Sequence, residues 1–274
     1  MASAARAITD NPQLKPSDSL EALQRTSVAL LLTWVGGFVD VIGFEYLYGV
    51  YTAHMSGNTV AMARHFSRSH FLGVERDGFT IAVFVGALIL GAVVFEAERR
   101  GALRLRCPGT LLLESAALAI FLYVMPRTAN RPTVPHQPAI HFYVLVSLLA
   151  GAMGLQNVTI RRVGGITVYT TFVTGTLVKF AETTTSWLFW IRDRTRNRFF
   201  RRIGPVMRVS LRRAETRRAA LTAGIWICYA VGAGCAAYAH HVFSAFSLVF
   251  PLALLVALTV YGAIWPFVHV EGAD

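Results

Sequence analysis

Six blocks of apolar residues run through this sequence, and each is long enough to cross a lipid bilayer. They cover residues 27–50, 79–95, 109–125, 140–160, 219–239 and 246–268. About 20 apolar residues in a helix span the hydrocarbon core. Only 15 % of the residues are charged, whereas a soluble domain has about 25 %. Six such apolar segments predict an all-α integral membrane protein with about six transmembrane helices.

The basic residues are unevenly divided between the two sides of the predicted bundle. If the N-terminus is cytoplasmic, the connections 99–106 and 191–218 are cytoplasmic too, and they hold fifteen arginines against five on the opposite side. Short loops rich in Lys and Arg mark the cytoplasmic face. The polar segment 1–26 does not have the pattern of a signal peptide. We therefore expect a flexible cytoplasmic tail over 1–26 and both termini in the cytoplasm.

The arginine-rich segment 191–218 accounts for much of the formal net charge of +11. It contains eleven arginines, opposed only by Asp193 and Glu215. A basic residue beside a membrane gains about 1 kcal/mol from anionic lipid. No nucleic-acid recognition motif accompanies these arginines. The segment therefore favours anionic lipid as a partner, and no nucleic acid is expected.

Two stretches of the chain resemble each other at an offset of 118 residues. The matched pairs are Gly36 and Gly154, Tyr51 and Tyr169, Thr52 and Thr170, Ser56 and Thr174, and Gly57 and Gly175. Each stretch begins on the first of three spans, which places the halves at 27–138 and 139–274, with 191–218 as an insertion in the second. Because three spans is an odd number, the halves must enter the membrane from opposite sides. The sequence therefore predicts two inverted three-helix repeats, an architecture typical of secondary transporters with a site near the midplane.

A polar, glycine-containing segment follows the first span of each half. Residues 51–65 are too few to cross the membrane, and residues 165–190 are rich in threonine with arginines at both ends. Each is predicted to be a broken or re-entrant segment, which membranes tolerate only where it is buried in protein or lines a wet cavity. The alternative is that both segments cross fully, which gives eight spans. The short first copy favours six.

The run Gly-Gly-Phe-Val-Asp-Val-Ile-Gly-Phe at 36–44, followed by His-Met-Ser-Gly-Asn at 54–58, resembles the YoaK-type family of bacterial inner-membrane proteins. In that family a GxxDaxxF span precedes an ahmTGN element. The second-half pairs Gln156-Asn157 and Thr174-Gly175 fit the pattern as well. Ser56 replaces the common threonine, and the arginine-rich insertion is not associated with the family core. The resemblance implies a bacterial inner-membrane location and a domain of unknown function, without an established substrate or catalytic residue.

Asp40 is the candidate with the clearest physical argument. A carboxylate within a span costs a few kcal/mol, so it should face the bundle interior or water. One interpretation is a proton or cation relay, and the other is a structural partner for a nearby hydroxyl or arginine. Glu45 lies nearer the outer interface, where a solvated carboxylate is the simpler interpretation.

The predicted substrate-binding residues are the polar and glycine positions of both matched stretches. They are Asp40, His54, Ser56, Gly57, Asn58, Gln156, Asn157, Thr170, Thr174, Gly175 and Thr176. Free N–H groups at two helix ends meeting from opposite sides would suit an anionic or carbonyl-bearing substrate. The alternatives are capping of a half-helix and, for Gln156 and Asn157, hydrogen bonding between helices. We expect Asp40, Ser56, Asn157 and Thr174 to converge on one cavity near the midplane.

Three functions remain open on the sequence. The favoured one is a transporter or channel for an unidentified small solute, linked to protons through Asp40. The second is a scaffold or sensor that binds anionic lipid or a protein through the arginine-rich loop. The third is a membrane-embedded enzyme on a lipid-like substrate, which needs His54 and Asp40 within hydrogen-bond reach. No Walker, HExxH, GxSxG or paired Cys/His motif is present, so we expect no cofactor or metal. Homo-oligomer formation is left open.

Overall fold

The computed structural model describes residues 16–103, 108–128, 140–164, 173–195, 209 and 214–265, and the regular elements in these ranges are all helical. In chain order they are α1 (Pro16–Tyr46), α2 (Met55–Ser67), α3 (Phe71–Arg99), α4 (Gly109–Thr128), α5 (Ile140–Gly164), α6 (Val173–Thr195), α7 (Ala214–Phe243) and α8 (Val249–Ile264), with a 3-10 turn at Ser244–Leu248.

Six helical segments of the described residues are long and apolar enough to cross a membrane. They are Leu23–Tyr46, Phe71–Arg99, Gly109–Arg127, Ile140–Ile160, Ala219–Phe243 and Phe246–Ile264. Each coincides with one of the six apolar blocks, which confirms the predicted all-α membrane protein. Helix α2 has only 13 residues, and α6 is not among the candidate spans. The eight-span alternative therefore finds no support in the described residues.

The helices α1 and α5 form the centre of the bundle. In each, 67 % of the apolar window is buried inside the protein, against 22 % for α3 and α7. Leu32, Phe38 and Ile42 of α1 are fully buried, whereas Ile89 of α3 is exposed. An exposed apolar face on a spanning helix suits contact with lipid tails. The first span of each predicted half is thus the inner helix, with α3 and α7 outside it.

The packing partners in the two halves correspond to each other. Helix α1 packs on α7 and α5 packs on α3, while α2 packs on α3 and α6 packs on α7. Exchanging α1 with α5, α2 with α6 and α3 with α7 turns each contact into another that is present. This is the pattern that two related halves would produce. The inverted relation of the halves stays a prediction.

Glycines allow the backbones of α1 and α7 to approach closely. A Cβ atom on Gly37 would lie 2.2 Å from the carbonyl oxygen of Tyr229, and one on Gly232 would lie 2.2 Å from that of Trp34. On the corresponding pair of helices, a Cβ on Gly154 would lie 2.7 Å from the carbonyl oxygen of Phe84. Small residues commonly bring helix backbones together in lipid. The close approach fixes where the side chain of Tyr229 meets α1.

Candidate functional site

The chain turns back into the bundle directly after α1. The helix ends at Tyr46, and Tyr48 and Gly49 follow with φ of 55° and 77°. The next residues then run back along α1, so that a Cβ on Gly43 would lie 2.3 Å from Cγ2 of Thr52. Helix α2 begins at Met55. The chain after the first span is therefore broken, as predicted. Because α1 ends at Tyr46, before the end of the predicted span 27–50, Asp40 lies near the end of the helix.

The carboxylate of Asp40 accepts hydrogen bonds from the returning segment and from α7. Its Oδ1 accepts from the backbone N–H groups of Thr52 and Ala53, both at 2.9 Å, and from the Thr52 hydroxyl at 3.0 Å. Its Oδ2 accepts from the hydroxyl of Tyr229 at 2.8 Å and contacts Nδ1 of His54. Asp40 is buried. Five donors from two segments therefore hold this buried carboxylate, and the expected hydroxyl partner is among them.

The side chain of His54 contacts the Asp40 carboxylate and is itself partly exposed. Since a carboxylate only accepts, the hydrogen on Nδ1 points at Asp40. The hydroxyl oxygen of Tyr229 lies 3.3 Å from the same nitrogen. The hydrogen bond to Asp40 raises the pKa of His54, with partial burial acting in the opposite direction. The side chain is 28 % exposed, and Nε2 is the nitrogen left to exchange a proton with its surroundings.

A cavity of about 530 Å³ opens beside this group. Its lining comes from the end of α1, the returning segment, the start of α2 and the middle of α7. The lining residues are Asp40, Val41, Phe44, Glu45, Tyr51, His54, Ser56, Gly57, Tyr229 and Ala233. Small-molecule sites usually enclose about 300–1,000 Å³. The space therefore suits a small organic solute.

Aromatic rings form a continuous row along the cavity. The ring centroids of Phe44 and Tyr51 are 5.0 Å apart, those of Tyr51 and His54 are 5.9 Å apart, and those of His54 and Tyr229 are 5.6 Å apart. Gly57 makes room for the second ring, since a Cβ there would lie 2.9 Å from Cδ2 of Tyr51. Gly57 of the first matched stretch thus allows the Tyr51 ring to form part of the cavity wall.

Asn58 is a support for the cavity wall. Its Oδ1 accepts from the backbone N–H of Tyr51 at 2.9 Å, and its Nδ2 donates to the backbone carbonyl of Tyr51 at 2.7 Å. Asn58 is buried and does not line the cavity. Its amide replaces the backbone hydrogen bonds that Tyr51 lost when α1 ended. We therefore assign Asn58 to holding Tyr51 in place.

The predicted residues on α5 do not reach the cavity. Gln156 donates from Nε2 to the carbonyl oxygen of Leu32 at 2.7 Å, and Asn157 donates from Nδ2 to that of Met153 at 2.7 Å. Neither lines the cavity, so the expected convergence of Asn157 with Asp40 and Ser56 is not met. The bond of Gln156 joins α5 to α1, which agrees with the helix-pairing alternative.

The remaining second-half candidates fall largely outside the described part of the chain. Thr170 lies outside the described residues, as do the side chains of Thr174 and Thr176. Gly175 is exposed in the first turn of α6. Among the described residues, the cavity is lined by first-half candidates together with residues of α7.

Tyr229 lines the candidate site but is not predicted by any sequence pattern. It lies in no motif, and its partner Asp40 is 189 residues away. One signal was available, because a tyrosine hydroxyl inside an apolar span needs a hydrogen-bond partner. Tyr51 and Thr52, both members of the matched pairs, also belong to the site, Tyr51 in the cavity lining and Thr52 as a donor to Asp40.

The sequence profile of a family described as "Protein of unknown function (DUF1275)" matches residues 28–261. The UPF0700 transmembrane protein YoaK of Bacillus subtilis (strain 168) is 27 % identical over 175 residues, which cover 63 % of this chain and 73 % of that protein. No solved structure matches this chain. The matched range includes the first-half cavity residues and Tyr229, and the YoaK-type resemblance is confirmed.

Proposed function

The chain belongs to the DUF1275 family, and from that premise and the cavity geometry we propose that it is a proton-linked transporter for a small solute. The observation that carries the proposal is His54, a titratable side chain that faces a solute-sized cavity while a buried carboxylate holds it from behind. Binding sites of transporters built from repeats lie between the halves, and this cavity is shared by α1 and α7.

In this mechanism His54 carries the proton and Asp40 positions it. The oxygens of Asp40 already accept five donors, so a solute would have to displace one of them to bind there. Asp40 fixes the tautomer of His54 through Nδ1, as a carboxylate does for an active-site histidine. Proton exchange then takes place at Nε2, on the cavity side.

The hydrogen bond between Tyr229 and Asp40 provides a link between proton and conformation. Tyr229 belongs to α7 and Asp40 to α1, which are in different predicted halves. Movement of one half against the other, the usual basis of alternating access, would separate these two groups. Loss of the proton from His54 changes the charge beside the same oxygen of Asp40, so protonation biases the position of α7.

The proposed setting is the bacterial inner membrane with both termini in the cytoplasm. The arginine count supports this orientation. The cavity lies near the α1 end at Tyr46, which would then be the outer end. An outward-open cavity of this kind would take its solute from the outer side.

The test is solute flux into proteoliposomes at several pH values. We expect the wild-type protein to move at least one solute of a small-molecule library with a pH-dependent rate, and His54→Gln to abolish the pH dependence. The matched control is His241→Gln, because His241 is exposed on α7 away from the cavity. Unchanged pH dependence in His54→Gln would remove His54 from the mechanism. A library without any transported solute would contradict transport.

A membrane-embedded enzyme is the second candidate, because His54 and Asp40 are in hydrogen-bond contact as that hypothesis requires. Ser56 lines the same cavity. Mass spectrometry of the recovered solute separates the two functions, since a transporter returns it unchanged. The scaffold hypothesis depends on residues 191–218, most of which lie outside the described part of the chain, and anionic lipid stays a prediction there.

A further inference from the structure

We infer that the solute of this cavity is an organic cation, a substituted ammonium that carries an apolar group. The inference rests on the proposed transport function for the movement of the solute, and on the cavity itself for its chemical class. Three properties of the lining point to this class: the sign of its charge, the position of its one unpaired carboxylate, and its aromatic wall.

Among the described residues that line the cavity, the charged or titratable groups other than tyrosine are Asp40, Glu45 and His54, and none is Lys or Arg. If His54 is protonated, its charge cancels that of Asp40 and leaves the carboxylate of Glu45. If His54 is neutral, both carboxylates remain uncompensated. The described part of the lining is therefore negative in either state, which favours a cation over the anionic substrate that free N–H groups at helix ends alone would suit.

Glu45 is the carboxylate that is available to a ligand. It is exposed at the cavity, on the same helix as Asp40, and it has no hydrogen-bond or ion-pair partner among the described residues. Asp40, by contrast, is fully engaged by its five donors. A cation in the cavity would thus form an ion pair with Glu45. Its interaction with Asp40 would be electrostatic attraction without direct contact.

The aromatic wall is suited to the organic part of the ligand. Phe44 is 41 % exposed and Tyr51 is 36 % exposed, so both rings have a free surface at the cavity. A quaternary ammonium is attracted to the face of such rings, and its carbon atoms make apolar contact with them. A metal ion would instead need several oxygen or nitrogen ligands. The described residues contain no group of three such His, Cys, Asp or Glu side chains.

Binding of the cation and protonation of His54 should each weaken the other. The groups that face His54 are Asp40 and Tyr229 at Nδ1 and the ring of Tyr51, and Glu45 lines the same cavity. A ligand cation placed between Glu45 and the rings would lie close to the imidazolium. Like charges at about 10 Å in a partly screened site change affinity by about tenfold. Loss of the proton therefore strengthens cation binding, which gives exchange of a proton for a cation.

The experiment measures equilibrium binding of three probes to the purified full-length protein in nanodiscs. Benzyltrimethylammonium is the cation, benzyl alcohol the neutral probe and phenylacetate the anion. We expect the cation alone to bind, about tenfold more tightly above the pKa of His54 than below it, with no such pH dependence in His54→Gln. Glu45→Gln should weaken cation binding several-fold. Glu182→Gln, an exposed glutamate on α6 away from the cavity, should not.

Tighter binding of the neutral probe or the anion would overturn the cation assignment, and so would unchanged cation binding in Glu45→Gln. The same probes in proteoliposome flux separate this inference from the proposed function. A cation that binds but is not moved contradicts transport and keeps the cation site. A different solute that is moved while no cation binds contradicts the cation site and keeps transport.

Discussion

The hydroxyl of Tyr229 donates a 2.8 Å hydrogen bond to Oδ2 of Asp40, although 189 residues separate the two in sequence. The bond connects α7 to α1 beside the cavity. A hydrogen bond to a charged group contributes about 1.5–3 kcal/mol. Because this bond lies beside the cavity and joins α1 to α7, a change in the site should alter the packing of the two helices, and a change in the packing should alter the site.

Removal of this hydroxyl should destabilise the protein. We expect Tyr229→Phe to lower the free energy of unfolding by about 1.5–3 kcal/mol, visible as a lower midpoint of thermal unfolding in detergent. Tyr238→Phe on the same helix is the control, because Tyr238 is 74 % exposed. Equal stability of Tyr229→Phe and Tyr238→Phe would show that the bond contributes nothing.

The charge of Asp40 should be visible in the titration of His54. Because the hydrogen bond to Asp40 raises the pKa of His54, we expect Asp40→Asn to lower that pKa. The measurement is the pH dependence of the histidine ring signals by NMR, with assignment from His54→Gln. The signals of His241 should be the same in Asp40→Asn and wild type. A pKa of His54 that stays fixed would show that the carboxylate does not control it.

The stability should depend on pH through the same pair. A raised pKa means that folded His54 binds its proton more tightly than the unfolded chain, so the stabilisation is complete below the ordinary pKa of 6.5 and is lost as the pH rises through the folded value. We expect thermal stability to fall in that window above pH 6.5 and His54→Gln to remove the fall. His65 acts in the opposite sense, since desolvation lowers its pKa. The difference between wild type and His54→Gln isolates His54, and parallel curves would contradict the prediction.

The close approach of α1 and α7 can be tested at a glycine. A Cβ on Gly37 would lie 2.2 Å from the carbonyl oxygen of Tyr229, so Gly37→Ala should force the helices apart and cost about 1–3 kcal/mol as overpacking. Gly234→Ala is the matched control on α7, because nothing lies within 4 Å of its added Cβ. Alanine there should be neutral or stabilise by about 0.5–1 kcal/mol. Thermal unfolding of both variants decides, and equal midpoints would exclude the proposed packing.

The orientation can be tested by cysteine labelling in intact cells. In a protein whose Cys107, Cys228 and Cys235 are replaced by alanine, Arg68→Cys should react with a membrane-impermeant maleimide from outside. Arg100→Cys, at the other end of α3, should react only after permeabilisation. The physical reason is the arginine excess on the side of Arg100. The reverse pattern would place the termini outside.

The sequence predicts best those features of the fold that depend on a local pattern of residues. Apolar block length predicted six spans because the bilayer sets the length of a helix. The shortness of 51–65 predicts a broken segment after the first span, but only the structure shows that His54 contacts Asp40. The sequence predicts a first span that extends to residue 50, whereas α1 ends at Tyr46, because hydropathy does not detect the turn at Tyr48 and Gly49.

Contacts between distant segments could not be predicted in the same way. The polarity of Gln156 predicts a site residue, but its amide donates to a backbone carbonyl of α1. No sequence pattern predicts Tyr229, because only the close packing permitted by Gly37 brings it to Asp40. An amide or a phenol can either line a site or hydrogen-bond one helix to another. Only the tertiary contact shows which of the two it does.

The distance in sequence between Asp40 and Tyr229 also has a consequence for synthesis. At about 5–20 residues per second, a ribosome needs roughly 10–40 s to add the 189 residues between them. During that interval Asp40 is in the membrane without its phenol donor. The returning segment, with the Thr52 and Ala53 donors only 12 and 13 residues away, is available almost at once. These nearby donors can therefore hydrogen-bond to the carboxylate before the fifth span has been synthesised.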